Sequence, residues 1–66
     1  MVYELAQRSQ DGLTVRLLWD ALRNQVVLRY RDCRTGDAFV ADIPNAKALV
    51  AFQHPNAFRA SRADAL

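Results

Sequence analysis

The sequence contains few of the residues from which small proteins build cross-links or metal sites. Among its 66 residues there is one cysteine, Cys33, and one histidine, His54. A lone cysteine excludes an intrachain disulfide, and this pair falls short of a four-ligand zinc site. A domain of this length buries only about 60% of its unfolded surface. We therefore expect stabilisation by oligomerisation or by unusually good packing, and no cofactor.

Long apolar stretches are also missing. No uninterrupted apolar run approaches the roughly 20 residues that span a bilayer. Residues 1–4 lack the basic start and apolar stretch of a secretory signal. A lone thiol fits a reducing compartment. The sequence predicts a cytoplasmic protein that does not bind membranes.

Lysine is scarce, because eight of the nine basic residues are arginine, and the formal net charge is only +2. Dedicated nucleic-acid binders usually concentrate far more positive charge on one face. Arginine is favoured for bidentate contacts with phosphate or carboxylate, but it is also the expected substitute for lysine in a GC-rich genome. Both interpretations of the arginines stay open at this point.

Alternating apolar and polar residues predict four β-strands, over 2–9, 13–19, 26–32 and 38–43. Asp11-Gly12 predicts a tight hairpin between the first two strands, and Asn24 suits a left-handed turn position. Gly36 suits the left-handed residue that closes the loop before the fourth strand. Alternation places one apolar set on a single face of the sheet, and we assign it to the core: Leu13, Val15, Leu17, Trp19, Val26, Leu28, Tyr30, Phe39 and Ile43.

After Ile43 the apolar spacing becomes helical. Asn45 is expected to cap the first turn, and Ala46, Leu49, Val50 and Phe52 form the expected apolar stripe. His54-Pro55 ends the helix, because proline disfavours helical geometry in the residue before it. Phe58 is expected to pack beside this helix, which completes one domain over 1–58 followed by a tail over 59–66 that is either a frayed helix or loose.

These elements predict an α+β fold, a four-stranded antiparallel β-meander with one short C-terminal helix packed on one face. Consecutive strands joined by short loops pair with their neighbours, so we expect the spatial order 1-2-3-4. A single helix covers one face of such a sheet. The other face is left open.

The order of several short motifs resembles a group of short actinobacterial proteins of unknown function with the layout TGxxF…P…AL…F.HP. The resemblance spans most of residues 13–58 and rests on Leu18-Trp19-Asp20, Thr35-Gly36-Asp37-Ala38-Phe39, Pro44, Ala48-Leu49, Phe52, His54-Pro55 and Phe58. Similar chains carry a second proline where this one has Asn45. The resemblance implies a host type and no catalytic residues.

No group of residues completes a catalytic constellation. Histidine is a common acid–base residue in catalysis, but no spacing places Asp42 or Asp64 beside His54, and we interpret His54 as a C-terminal helix cap. Cys33, between Asp32 and Arg34, lacks a resolving cysteine or a base. We therefore expect a non-enzymatic protein, and a small enzyme or ligand carrier is the least supported class.

The open face and one sheet edge are the candidate interaction sites. Strand parity places on the open face Thr14, Arg16, Leu18, Val27, Arg29 and Arg31, joined in one interpretation by Glu4 and Arg8. Leucine and valine among arginines suggest a partly apolar interface. The fourth strand, 38–43, carries one charge and no proline, so its edge can pair with another chain.

Our leading hypothesis is a protein-interaction module, a homodimer or an assembly subunit, that associates through strand 38–43 or through Arg16, Leu18, Val27, Arg29 and Arg31. The alternative is a weak nucleic-acid-binding or regulatory protein that uses Arg16, Arg29, Arg31 and Arg34. Against that alternative, parity leaves no aromatic side chain on the open face for bases to stack on. A plain solvated surface is the third interpretation.

Overall fold

The computed structural model describes residues 1–61 and shows a four-stranded antiparallel sheet in the order β1-β2-β3-β4. Its strands are β1 (Val2–Gln10), β2 (Leu13–Asp20), β3 (Gln25–Asp32) and β4 (Asp37–Ile43). A 3₁₀ turn (Asn45–Lys47) leads into helix α1 (Ala48–Gln53), and a 3₁₀ helix (Pro55–Ser61) follows. The predicted fold class and strand order are confirmed. No helix within residues 1–61 is long and apolar enough to cross a membrane.

The turns form where the sequence places residues that tolerate positive φ. Asp11 and Gly12 have φ of 53° and 83°, the left-handed geometry of a two-residue hairpin whose twist matches that of its strands. Asn24 and Gly36 are also left-handed, at 54° and 78°. These three turn predictions are confirmed, and they fix the register of the meander.

A β-bulge interrupts β1 between Glu4 and Ala6, which lie opposite Leu18 and Leu17 and leave Leu5 without a partner on β2. The extra residue shifts the alternation of the strand, so Glu4 lies on the open face whereas Arg8 lies on the covered face. The interpretation that Arg8 joins Glu4 is wrong. The Arg8 guanidinium instead donates to the carbonyl oxygen of Phe52 at 2.9 and 3.2 Å.

The core lies between the sheet and α1. It contains the predicted inward residues Val15, Leu17, Val26, Leu28, Tyr30, Phe39 and Ile43, together with Ala41 and Ala51. Leu13 and Trp19 are half-buried and pack against this cluster, as does Phe58, whose predicted position is confirmed. Strand parity was therefore sufficient to find the core face of β2, β3 and β4.

The apolar stripe of α1 differs from the expected one. Ala51 is fully buried and Ala48 and Phe52 pack against the core, whereas Leu49 is 66% exposed and Val50 50% exposed. The helix begins only at Ala48, because a 3₁₀ turn with about three residues per turn precedes it and changes the phase. Two alanines on the inner side let this short helix approach the sheet closely.

The predicted caps of α1 are only partly correct. The Asn45 side chain caps no helix; its Oδ1 accepts a hydrogen bond from the Val26 N–H at 3.3 Å and ties the turn to β3. His54 does occupy the C-cap position, but its backbone N–H makes the contact, with the Val50 carbonyl at 2.8 Å. The end of the helix is thus fixed by the backbone.

The 3₁₀ helix packs against β4 and extends past the predicted domain boundary at residue 58. The Arg59 guanidinium lies 4.7 Å from the Phe39 ring centre and 5.4 Å from the Tyr30 ring centre, and these two rings stack on each other. Arg59 also forms an ion pair with Asp37 at 2.8 Å. Arg59, the first residue of the predicted tail over 59–66, therefore packs against the domain, and residues 62–66 of that tail lie outside the described residues.

Candidate functional site

The sheet face opposite α1 brings together all five predicted interaction residues, Arg16, Leu18, Val27, Arg29 and Arg31. We call this surface the open face. Cross-strand register arranges it in three rows, which we list from β1 to β4: Glu4–Leu18–Val27–Asp42, Gln7–Arg16–Arg29–Val40, and Ser9–Thr14–Arg31–Ala38.

The first row is apolar at its centre and acidic at both ends. Leu18 and Val27 are only 7% and 3% exposed, although neither belongs to the core cluster under α1. These two side chains therefore expose much less apolar surface than expected from the sequence. They form a small second core, because neighbouring long side chains cover apolar surface with their aliphatic stems.

Ion pairs close both ends of this apolar pair. Arg16 Nε lies 2.9 Å from Glu4 Oε1 on one side. On the other side Arg23, from the β2–β3 loop, contacts Asp20 at 2.7 Å and Asp42 at 3.3 Å. The side-chain hydrogen bond from Arg23 lowers the pKa of the Asp20 carboxyl below its ordinary value. Sequence reasoning missed Arg23, and the only available signal was an acidic residue three positions before it.

Within residues 1–61, Arg29 and Arg31 have no carboxylate partner and, unlike Arg8, no carbonyl partner either, whereas the other arginines in this range each contact a carboxylate or a backbone oxygen. Both are exposed on the central strand β3. Arg29 lies directly opposite Arg16, which is held by Glu4, so two like charges face each other across the strands. Like charges in that arrangement are destabilising, and an anion bound between them relieves the repulsion. Arg29 and Arg31 are thus available to bind a ligand.

A depression of about 200 Å³ lies beside Arg29. Its other walls are formed by the ion pair of Asp20 and Arg23 and by four apolar side chains, Val2, Leu18, Val27 and Val40. Val2 and Val40 belong to the two edge strands, so the alternation within β2 and β3 alone did not predict that they line the depression. The open face therefore combines an apolar recess with adjacent free guanidinium groups.

Arg34, which the nucleic-acid alternative includes, does not join this surface. It contacts the buried Asp32 at 3.3 Å, and Asp32 shares the strand parity of Leu28 and Tyr30 on the covered side. The hydrogen bonds from Arg34 lower the pKa of the Asp32 carboxyl. The arginine set of that alternative is therefore reduced to Arg16, Arg29 and Arg31, and Arg16 is already paired.

Residues with catalytic or metal-binding chemistry are dispersed. Asp42 lies on the open face with Arg23, whereas His54 follows α1 on the covered side, so the two do not form a pair. Asp64 lies outside the described residues. Cys33 is exposed in its loop. Within residues 1–61 no three histidine, cysteine or acidic side chains are grouped as metal ligands.

The two edge strands differ in regularity. β4 pairs with β3 without interruption over seven residues, from Asp37 to Ile43. β1 is interrupted by its bulge, and all its residues except Ala6 are exposed. Because bulges hinder pairing with another chain, β4 is the more regular template of the two edges.

Comparison with protein-family models, with curated proteins and with solved structures finds no match to this chain. The resemblance to short actinobacterial proteins therefore stays a prediction. The geometry of the open face and of β4 carries the functional argument.

Proposed function

We propose that this chain is a non-enzymatic protein-interaction module that binds an acidic protein partner through its open face. The observation that carries this proposal is the pair Arg29 and Arg31, exposed on the central strand with no carboxylate partner among residues 1–61. Exposed arginines next to apolar surface are typical of protein interfaces. Their planar guanidinium groups match the geometry of carboxylates.

An acidic protein segment fits this surface better than a nucleic acid does. Single-stranded nucleic acids bind sheet faces largely by stacking on aromatic side chains, and the three rows of the open face contain none. A short carboxylate-bearing segment needs contact only with Arg29 and Arg31, which lie in the second and third rows, away from Glu4 and Asp42 in the first.

Self-association, if it accompanies partner binding, would use the edge of β4 (38–43) rather than the open face. Two open faces brought together would place the free arginines of one copy against those of the other, which is unfavourable. Pairing of β4 with its counterpart extends the sheet through backbone hydrogen bonds and leaves both open faces accessible. The protein would then be a homodimer or an assembly subunit. The exposed thiol of Cys33 fits a cytoplasmic setting.

The test compares two labelled probes by fluorescence anisotropy, an unstructured glutamate–serine peptide and a single-stranded oligonucleotide, at low and moderate salt. The peptide should bind the wild-type protein, and Arg29→Gln with Arg31→Gln should weaken it about tenfold, as expected for two exposed charge pairs. Lys47→Gln is the matched control, because it removes an exposed positive charge away from the open face. Light scattering of the same samples across a dilution series measures self-association.

Loss of peptide binding in the double arginine variant alone supports the proposal. Binding of the oligonucleotide but not of the peptide, with a steep salt dependence, would replace it with the nucleic-acid alternative. Equal loss in the Lys47→Gln variant would mean that net charge, and not the open face, attracts the peptide.

A further inference from the structure

We propose, building on the proposed function, that the open face recognises an extended segment in which an apolar residue has acidic residues two and four positions away on one side. The apolar side chain enters the depression beside Arg29, and the carboxylates contact Arg29 and Arg31. Three features of the site support this partner chemistry: the apolar depression, the spacing of the arginines and the position of the remaining charges.

The depression is built to accept an apolar group. Its volume of about 200 Å³ is enclosed largely by Val2, Leu18, Val27 and Val40. Leu18 and Val27 are nearly buried and form its floor, whereas Val2 is 56% exposed and Val40 is partly exposed. An aliphatic side chain placed there is favoured mainly because it removes the apolar surface of Val2 and Val40, and its own, from water.

The arginines are spaced to match an extended ligand. Val27, Arg29 and Arg31 are alternate residues of β3 and therefore project from the same face, about 6.8 Å apart along the strand. A segment lying along β3 in extended form presents its own alternate side chains at the same interval. An apolar residue over Val27 thus places the next two same-side residues over Arg29 and Arg31, where carboxylates are favoured.

The remaining charges of the rim do not oppose this arrangement. Arg23 pairs with both Asp20 and Asp42, at 2.7 and 3.3 Å, on the side of the depression away from Arg29. The one negative charge left over in this cluster disfavours a carboxylate at that end of the segment, where the apolar residue lies, and not at Arg29 or Arg31. A second copy of this chain is a poorer occupant, because its own open face carries the same unpaired positive charges. A segment that is apolar at one position and acidic at the next two same-side positions satisfies both parts of the surface.

The experiment uses nine-residue peptides with a central test residue. Glutamate and serine alternate on both sides of it, with glutamate two and four positions away, so that the pattern is the same in either chain direction. The central residue is leucine in one peptide and alanine in the second; a third keeps leucine and replaces each glutamate by glutamine. Titration calorimetry or anisotropy with the wild-type protein should show the leucine peptide binding about tenfold tighter than the alanine peptide. The glutamine peptide should not bind measurably.

Two variants test whether the depression causes that difference. Val40→Phe fills it, and we expect the ratio of leucine to alanine affinity to fall close to one; an unchanged tenfold ratio would overturn the role of the depression. Ala38→Phe is the matched control, because it places the same ring on the open face of β4 one row away, and it should retain the tenfold ratio. Circular dichroism confirms that both variants fold; should Val40→Phe not fold, the wild-type peptide series decides by itself.

The outcomes separate this inference from the proposed function. Equal affinity of wild-type protein for the leucine and alanine peptides overturns the apolar recognition and leaves the acidic partner in place. No binding of any glutamate peptide overturns both. A peptide of the same composition with its glutamates clustered at one end should bind several-fold more weakly; equal affinity would overturn the alternate spacing.

Discussion

The two faces of this sheet use the same residue type in opposite ways. On the covered face, the Arg8 guanidinium donates a hydrogen bond to the Phe52 carbonyl oxygen. Arg59 forms an ion pair with Asp37 and packs over the stacked rings of Phe39 and Tyr30. On the open face Arg29 and Arg31 reach no carboxylate within the described part of the chain. The comparison teaches that an arginine count says little about binding, because even on the open face Arg16 is ion-paired with Glu4 whereas Arg29 opposite it is not paired within the described residues.

The faces also bury apolar side chains by different means. Leu28 on the covered face is fully enclosed under the helical layer, whereas its neighbour Val27 on the open face is enclosed by ion-paired side chains. An ion pair on the surface contributes little stability and exchanges readily with water. The open face is therefore the side that a partner can rearrange at low cost.

The largest expected effect comes from removing packing on the covered face. Leu28→Ala should lower the free energy of unfolding by about 3 kcal/mol, since it leaves a cavity in the main core. Val27→Ala should cost about 1.5 kcal/mol, because fewer carbons are lost and the site is able to collapse. Urea unfolding followed by the fluorescence of Trp19, the only tryptophan, measures both. Equal losses would contradict the distinction between the two faces.

A smaller effect is expected from the arginines themselves. Arg59→Ala removes contacts with two rings and with Asp37, so it should lower the melting temperature measurably, though less than Leu28→Ala does. Arg29→Ala should leave the melting temperature unchanged or raise it slightly, because it relieves the repulsion from Arg16. Thermal melts of the two variants in the same buffer provide the check. A larger loss for Arg29→Ala would show that its guanidinium has a structural partner.

The smallest effect is the response to acid. Hydrogen bonds from Arg23, Arg34 and Arg59 lower the pKa values of Asp20, Asp32 and Asp37, respectively. Carboxyls with lowered folded-state pKa values add stability that is present above the unfolded-state pKa and is lost as the pH falls through the folded-state value. Stability should thus decrease below about pH 4. Melts between pH 7 and about pH 3 test this, and Asp37→Asn should reduce the slope.

Much of this fold follows from short-range patterns. Alternation in β2, β3 and β4 assigns each side chain to a face. Asp11-Gly12, Asn24 and Gly36 adopt left-handed turn geometries, which these residue types tolerate. These signals are local, because each depends only on neighbouring residues. The five residues predicted for the interaction face are brought together for the same reason.

The remaining features depend on contacts between distant residues. Nothing near Leu5 marks a bulge, and the bulge alone sends Arg8 to the covered face. The burial of Leu18 and Val27 depends on Glu4 and Arg23, which arrive from other elements. The orientation of α1 was missed because the 3₁₀ turn before it shifts the helical phase, and two small alanines pack better there than Leu49 and Val50.

The unpaired Leu5 also matters for how this protein behaves at high concentration. Glu4 and Ala6 face consecutive residues of β2, so β1 could lose Leu5 and keep each of its remaining pairs in register. None of the β1–β2 residue pairs includes Leu5. Without the bulge, β1 would offer other chains a regular row of unpaired backbone groups. We therefore expect a variant that lacks Leu5 to aggregate more readily than the wild-type protein at high concentration.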